Sequence, residues 1–316
     1  MLAYLSAIGG LALLFGGGEA LVRGAVAISR RLGLSPLLIG MTVVAWCTSA
    51  PELVVSLSAA LRGSSDIAVG NIVGSNIFNI LGVLGVAALI APIAVNPREL
   101  RRDTVVMLAA AAALSGIALT GEIGRFAGLV LFAGMIAYVS LSYRSEKRHP
   151  EQPPAVLHQK EADAAAVDAS PLAGVAYIAA GLAALVIGSR FLVSGASDIA
   201  RSYGVAEAVI GLSLVAAGTS LPELATSIIS ALRRQPELAI GNVVGSNIFN
   251  ILGILGVTAL VTPVNVAEQI AAVDTWVMLG VSVILASALM FARGRIGRLL
   301  GAAFITSYGA YLYWLF

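Results

Sequence analysis

Charge is scarce in this chain: 11% of its 316 residues are Asp, Glu, Lys or Arg, where a soluble domain carries about 25%. With 59% hydrophobic residues, most of its surface must face lipid rather than water. Cysteine is nearly absent. The single Cys47 excludes an intramolecular disulfide and any cysteine-built metal cluster. Histidine is almost as rare, and His149 and His158 both fall in the one long polar stretch, Tyr143 to Pro171. Imidazole ligation within the apolar part is therefore excluded. No Walker loop, Rossmann fingerprint or nucleic-acid module is present. The acids of the polar stretch (Glu146, Glu151, Glu161, Asp163 and Asp168) lack EF-hand spacing. A basic N-terminal segment is missing too, and the first apolar run is too long for a cleaved leader, so the first helix is expected to stay in the mature protein.

What remains reads as ten apolar runs, each near the roughly 20 residues that cross hydrocarbon: 3–28, 36–61, 67–91, 103–120, 124–143, 171–199, 207–232, 238–262, 271–292 and 297–315. The segment 144–170, with Pro150, Pro153, Pro154 and an Ala- and acid-rich tract, reads as a flexible linker between halves 1–143 and 171–316. With the N-terminus outside, fourteen of the nineteen Lys and Arg residues fall in inner connections. Three (Arg62, Arg125 and Arg201) fall in outer ones, and Arg23 and Arg190 lie within spans. Basic residues in short loops mark the cytoplasmic side, so both termini are expected outside and the linker in the cytoplasm.

The halves are copies. Gly70 to Gly82 returns almost unchanged as Gly241 to Gly253, and Thr48-Ser49-Ala50-Pro51-Glu52 returns as Thr219-Ser220-Leu221-Pro222-Glu223, always 171 positions on. Between Ile39–Pro92 and Ile210–Pro263, 32 of 54 positions are identical without a gap. The shared residues include Glu, Asn, Thr, Ser, Pro and Gly, which hydrocarbon disfavours. Five spans per half is an odd number, so the second half inserts upside down relative to the first. Such inverted repeats place a site near the membrane midplane, where the halves meet. The expected fold is an all-α membrane protein of about ten transmembrane helices in two inverted five-helix repeats.

The repeated phrases carry the chemistry. Glu52 and Glu223 lie mid-span, where a lone carboxylate costs at least a few kcal/mol. Their helices offer no Lys or Arg at that depth, so protons or bound cations must balance them. Pro51 and Pro222 each remove a backbone donor and free the carbonyl four residues earlier, at Cys47 and Gly218. Freed groups of this kind survive in a membrane only against protein or a polar cavity. Thr48, Ser49, Thr219 and Ser220 add hydroxyls just before each Glu. On the following span Asn71, Ser75 and Asn79 line one helix face at four-residue spacing, as do Asn242, Ser246 and Asn250. Carboxylate, hydroxyl, amide and carbonyl oxygens together suit hard cations such as Ca²⁺ and Na⁺.

These phrases closely resemble the two alpha-repeats of the calcium/cation antiporter superfamily, in its sodium/calcium exchanger branch. The resemblance implies ion ligands at Glu52 and Glu223, and at the hydroxyls of Thr48, Ser49, Ser75, Thr219, Ser220 and Ser246. It adds the carbonyls of Ala45 and Ala216, with Asn79 and Asn250 lining the centre. It implies alternating access, in which the first and sixth spans slide against the rest. Two departures stand out: Cys47 replaces the usual Gly that Gly218 keeps, and Asn250 replaces an acid found in some relatives. Glu19 and Arg190 occupy equivalent positions in the two gating spans, and Arg23 lies one turn beyond Glu19. The expected function is exchange of Ca²⁺ for Na⁺ in the cytoplasmic membrane, with the two ions as substrates, the lipid bilayer as surroundings, no cofactor and no nucleic-acid partner; the sequence points to no particular protein partner. A Ca²⁺/H⁺ exchanger on the same two glutamates is the alternative. An intramembrane acid–base enzyme would leave the hydroxyl shell unexplained, and a channel would not need a counter-ion gradient.

Overall fold

The computed structural model describes residues 2–32, 36–148, 171–203, 216–291 and 295–315. The first repeat contains α1 (Leu2–Leu32), α2 (36–48), α3 (Ala50–Leu61), α4 (Ser65–Ile90), α5 (Pro97–Ala118) and α6 (Arg125–Arg148). The second contains α7 (Pro171–Ser202), a short α8 (Ala216–Gly218), α9 (Leu221–Leu232), α10 (Pro236–Val261), α11 (270–291) and α12 (Arg298–Leu315). Among the described residues six helices are long and apolar enough to cross a membrane, and the bent pair Gly40–Thr48 and Ala50–Leu61 makes a seventh. Leu221–Leu232 is a shorter apolar helix. α5 and α12 complete the repeats. The first turns of α5 hold Arg98, Glu99, Arg101, Arg102 and Asp103, so its apolar part starts late. The expected linker overlaps the end of α6, and residues 149–170, with both histidines, lie outside the described residues, as do 204–215, which include the first nine residues (207–215) of the seventh expected span.

Burial sorts the helices into layers. In α4 and α10, 78% and 89% of the most apolar window is buried, against 33% in α1 and in α7. The two helices that carry the Gly-Asn phrases are thus the centre of the molecule. α1 and α7 lie on its outside, with much of their apolar surface left for lipid. Two short antiparallel ladders tie the repeats together. β1 (Ile93–Ala94) pairs with β4 (Arg295–Ile296), Ile93 opposite Ile296, and β2 (Glu122–Ile123) pairs with β3 (Val264–Asn265), Ile123 opposite Val264. Each ladder joins a connection of one repeat to a connection of the other. Their two-residue strands are too short to leave a pattern in the sequence.

α1 and α7 meet along an antiparallel glycine seam. A Cβ on Gly10 would lie 2.7 Å from the Gly188 carbonyl oxygen, one on Gly17 2.8 Å from that of Gly181, and one on Gly24 2.7 Å from that of Gly174. Gly195 meets the Ala3 carbonyl at 2.5 Å in the same way. The seven-residue spacing keeps all of them on one face. Every residue in the seam is the repeat mate, 171 positions on, of another in it: 3 and 174, 10 and 181, 17 and 188, 24 and 195. Backbones approach this closely only where no side chain intervenes.

Candidate cation site

The helix of the second span does not merely kink at Pro51. It stops at Ser49 (φ −83°, ψ 6°) and restarts at Ala50, with a 51° bend between the halves. Pro51 sits in the first turn of the new helix, where its missing N–H costs nothing. Ser220 (φ −93°, ψ 9°) and Pro222 repeat this at the start of α9. Glu52 and Glu223 therefore occupy helix first turns, where the positive end of the backbone dipole favours a carboxylate. Both are fully buried.

Each carboxylate is held by the other repeat. Ser49 Oγ donates to Glu223 Oε1 at 3.0 Å, and Ser220 Oγ donates to Glu52 Oε1 at 2.8 Å, with Ser75 Oγ 3.1 Å from Ser220 Oγ. Thr48 Oγ1 donates to Asn242 Oδ1 (3.1 Å) and Thr219 Oγ1 to Asn71 Oδ1 (3.3 Å). The amide of Asn71 then donates to the Glu52 carbonyl and Ser56 Oγ, and that of Asn242 to the Glu223 carbonyl and Ser227 Oγ. Along the axis where α4 meets α10, Asn79 donates to Asn247 Oδ1 (3.2 Å) and Asn250 to Asn76 Oδ1 (3.0 Å), while Asn247 also donates to the Asn76 carbonyl. Asn79 and Asn250 sit in π-helical segments, Asn79–Val83 and Phe249–Leu255. Wide turns of this kind often mark functional sites. Phe78 lies over Gly82, where a Cβ would come 2.5 Å from its ring, and Phe249 covers Gly253 in the same manner. That explains why the duplicated phrase ends on Gly.

Five buried oxygens in this cluster meet no hydrogen-bond partner: Glu52 Oε2, Glu223 Oε2, Asn79 Oδ1, Asn250 Oδ1 and Ser246 Oγ. They are four symmetry-related acceptors and one hydroxyl, and two of them carry the only fixed charge. Among the described residues neither Glu pairs with Lys or Arg, and no cluster of three His, Cys, Asp or Glu exists. An unpaired buried carboxylate costs several kcal/mol, so a set of oxygen acceptors left in this way is chemistry for a hard cation.

The residues named from sequence converge here with two exceptions of detail. The Ala45 carbonyl is not free, because it accepts from the Ser49 amide at 3.0 Å and lies 3.3 Å from Thr48 Oγ1. Ala216 begins α8, on the edge of the described residues. Asn76 and Asn247, which bond across the repeats, and Asn71 and Asn242, which receive the threonines, were not in the expected ligand set. Their signal was the same one that marked the rest: amides duplicated inside hydrocarbon.

The pseudo-two-fold breaks beside the site. Between α3 and the second half of α7 lies a cavity of about 610 Å³ lined by Pro51, Val55, Arg190, Ser194, Asp198 and Thr219 among others. The equivalent space between α9 and α1 is closed. There Leu14, Leu21 and Val22 pack with Ala225 and Ile229, and Gly18 abuts Ala225 and Ile229. Glu19 pairs with Arg23, as their spacing suggested, and also with Arg233 at the end of α9, Nε to Oε2 2.9 Å. Cys47 packs against this closed cluster, while its mate Gly218 sits against Val193 and offers its carbonyl to Ser189 of α7. Cys47 modified by a bulky membrane-permeant maleimide is expected to wedge α2 from α1 and stop transport. Full activity with complete labelling would show that this packing does not matter.

A membrane carrier of two repeats, with an all-oxygen candidate site where the halves meet, is the class that fold and site define. The sodium/calcium exchanger protein family model matches residues 2–144 and 173–316, and the chain belongs to that family. The putative antiporter CaxA of Alkalimonas amylolytica is 37% identical over 100% of this chain and 99% of its own length. The inner membrane protein YrbG of Escherichia coli K12 is 36% identical over 100% and 98%. The sodium/calcium exchanger MaX1 of Methanosarcina acetivorans is 32% identical over 87% and 88%. A solved structure of the sodium-calcium exchanger NCX_Mj, soaked with zero Na⁺ and Ca²⁺, superposes with TM-score 0.85 at 31% identity, covering 98% of each chain. The protein is thus a multi-pass membrane antiporter for cations, in a family of transporters rather than enzymes.

Proposed function

We propose that the protein exchanges Ca²⁺ for Na⁺ by alternating access, with the ions bound between Glu52 and Glu223. The observation that carries this is the pair of carboxylate oxygens, one from each repeat, buried without a partner and flanked by unpartnered amide and hydroxyl oxygens. Two carboxylates balance one Ca²⁺. A proton would need only the carboxylates, whereas Na⁺ uses the neutral oxygens of Ser49, Ser75, Ser220, Ser246, Asn79 and Asn250 as well, which favours sodium as counter-ion. The hydroxyls of Thr48 and Thr219 and the backbone at Ala45 and Ala216 complete the proposed set. One open and one closed cleft fit a state with access from a single side. The 14 to 3 distribution of basic residues supports termini outside, the linker in the cytoplasm and the Glu19–Arg233 cleft on the cytoplasmic side. The halves 1–143 and 171–316 then act as the two repeats of one carrier.

Uptake of ⁴⁵Ca²⁺ into proteoliposomes is expected to need an opposing sodium gradient. Uptake driven equally well by a proton gradient in sodium-free buffer would replace this reading with the Ca²⁺/H⁺ one. Potassium should not matter. Asn79 and Asn250 are neutral, and a K⁺ bound beside Ca²⁺ would leave excess positive charge where screening is weak. Replacing K⁺ by choline on both sides is expected to leave sodium-driven flux within about twofold, by the same charge balance. Loss of exchange without K⁺ would mean that a further acid contributes.

A further inference from the structure

We propose that Thr226 and Ser230 line the second cleft when it opens, giving hydrated cations a hydroxyl path between Glu223 and the Arg233 end of α9. This rests on the exchange reading. Thr226 and Ser230 lie three and seven residues beyond Glu223, on its face of the helix. Both are fully buried, and both hydroxyl oxygens lack a hydrogen-bond partner. A hydroxyl left in that state is costly, and the other repeat shows that the fold does not require it. The mates of these residues are Val55 and Ala59. Val55 is isosteric with threonine, and it lines the cavity that is open. Its mate Thr226 therefore belongs to the wall of the cleft that is shut, between α9 and the Glu19 side of α1; Ala59 packs against the central core, so Ser230 is placed on this wall by its position one turn beyond Thr226 and by its unpartnered hydroxyl.

The open cavity indicates what such hydroxyls do. Ser197 lines it, and its oxygen is likewise without a protein partner; facing a wet space, it can be served by water or an ion. The polar wall differs between the clefts. On the open side three hydroxyls stand on α7 (Ser189, Ser194, Ser197) opposite Val54 and Val55, with Thr219 at the site end. On the shut side the α1 mates are Gly18, Arg23 and Val26, so α9 supplies the hydroxyls instead. Two neutral oxygens between the Glu223 carboxylate and a Glu19 already neutralised by Arg23 and Arg233 make a passage for hard cations rather than a trap.

The test uses the full chain in proteoliposomes, in a Cys47→Ser background, with Thr226→Cys, Ser230→Cys or Val55→Cys and a membrane-impermeant charged thiosulfonate. Cysteines at 226 and 230 are expected to react from the face bearing Arg233, and the one at 55 from the opposite face. No reaction from the Arg233 face at any Na⁺ or Ca²⁺ concentration, with full reaction after denaturation, would overturn the proposal, as would reaction from the opposite face alone. Labelling is read without transport, so absence of sodium-driven calcium flux would sink the exchange reading separately. Thr226→Val with Ser230→Ala copies the other repeat. It is expected to raise the half-saturating Na⁺ concentration at the Arg233 face at least threefold, and an unchanged value there would show that the hydroxyls are not used.

Discussion

Glu52→Gln and Glu223→Gln are each expected to lower sodium-driven calcium flux at least about a hundredfold while leaving the protein folded. Removing one partner of a buried charge interaction costs about 3 kcal/mol or more, and each 1.4 kcal/mol is a factor of ten. In this site the bound cation is the partner, so the loss falls on binding. Stability should move the other way. Gln keeps the shape and the hydrogen bond from Ser220 or Ser49, and removes a charge that has no basic neighbour. Thermal unfolding followed by tryptophan fluorescence should give a midpoint no lower than that of the unsubstituted protein without calcium. The rise in midpoint on adding Ca²⁺, which follows from binding to the folded state alone, should disappear. Normal flux in either variant would remove both residues from the ion site.

Gly17→Ala and Gly16→Ala, neighbours in one helix, are expected to have opposite effects. A Cβ on Gly17 would lie 2.8 Å from the Gly181 carbonyl oxygen and 2.9 Å from the Leu185 amide, both backbone atoms that cannot turn aside. A Cβ on Gly16 meets nothing within 4 Å. Overpacking costs about 1–3 kcal/mol, so Gly17→Ala should lower the unfolding midpoint and cut transport as α1 and α7 are pushed apart. Gly16→Ala should leave transport alone and stabilise the helix by up to about 1 kcal/mol through propensity. Equal behaviour of the two would show that the seam is incidental. The comparison needs only melting curves and flux on the same preparations.

The duplicated phrases made the site legible because hydrocarbon removes alternative explanations for Glu, Ser and Asn. Pro51 and Pro222 announced a break, though not that the helix would end at Ser49 and restart with the carboxylate in its first turn. The bonds themselves were not legible. That Ser49 serves Glu223 rather than Glu52 depends on how the inverted copies meet, and spacing along one helix says nothing about that. The glycine seam was present in the sequence as a seven-residue period outside the compared stretch. It becomes meaningful only once α1 and α7 are known to be antiparallel neighbours. Which cleft is open and which shut lies beyond any sequence reading, since both are built from repeat-mated positions and the opening depends on how α1 and α7 sit against the rest.

The crossed serine–carboxylate bonds bear on ancestry. Each half supplies an acid whose nearest hydroxyl donor belongs to the other half, so a single repeat carries only an unfinished site. A one-repeat ancestor of this chain would have needed a second copy of itself, inserted the opposite way up in the same bilayer, before it could hold an ion. With both halves in one chain the meeting is intramolecular, and each half can change on its own, as Val55 and Thr226 differ while Asn71 and Asn242 are the same.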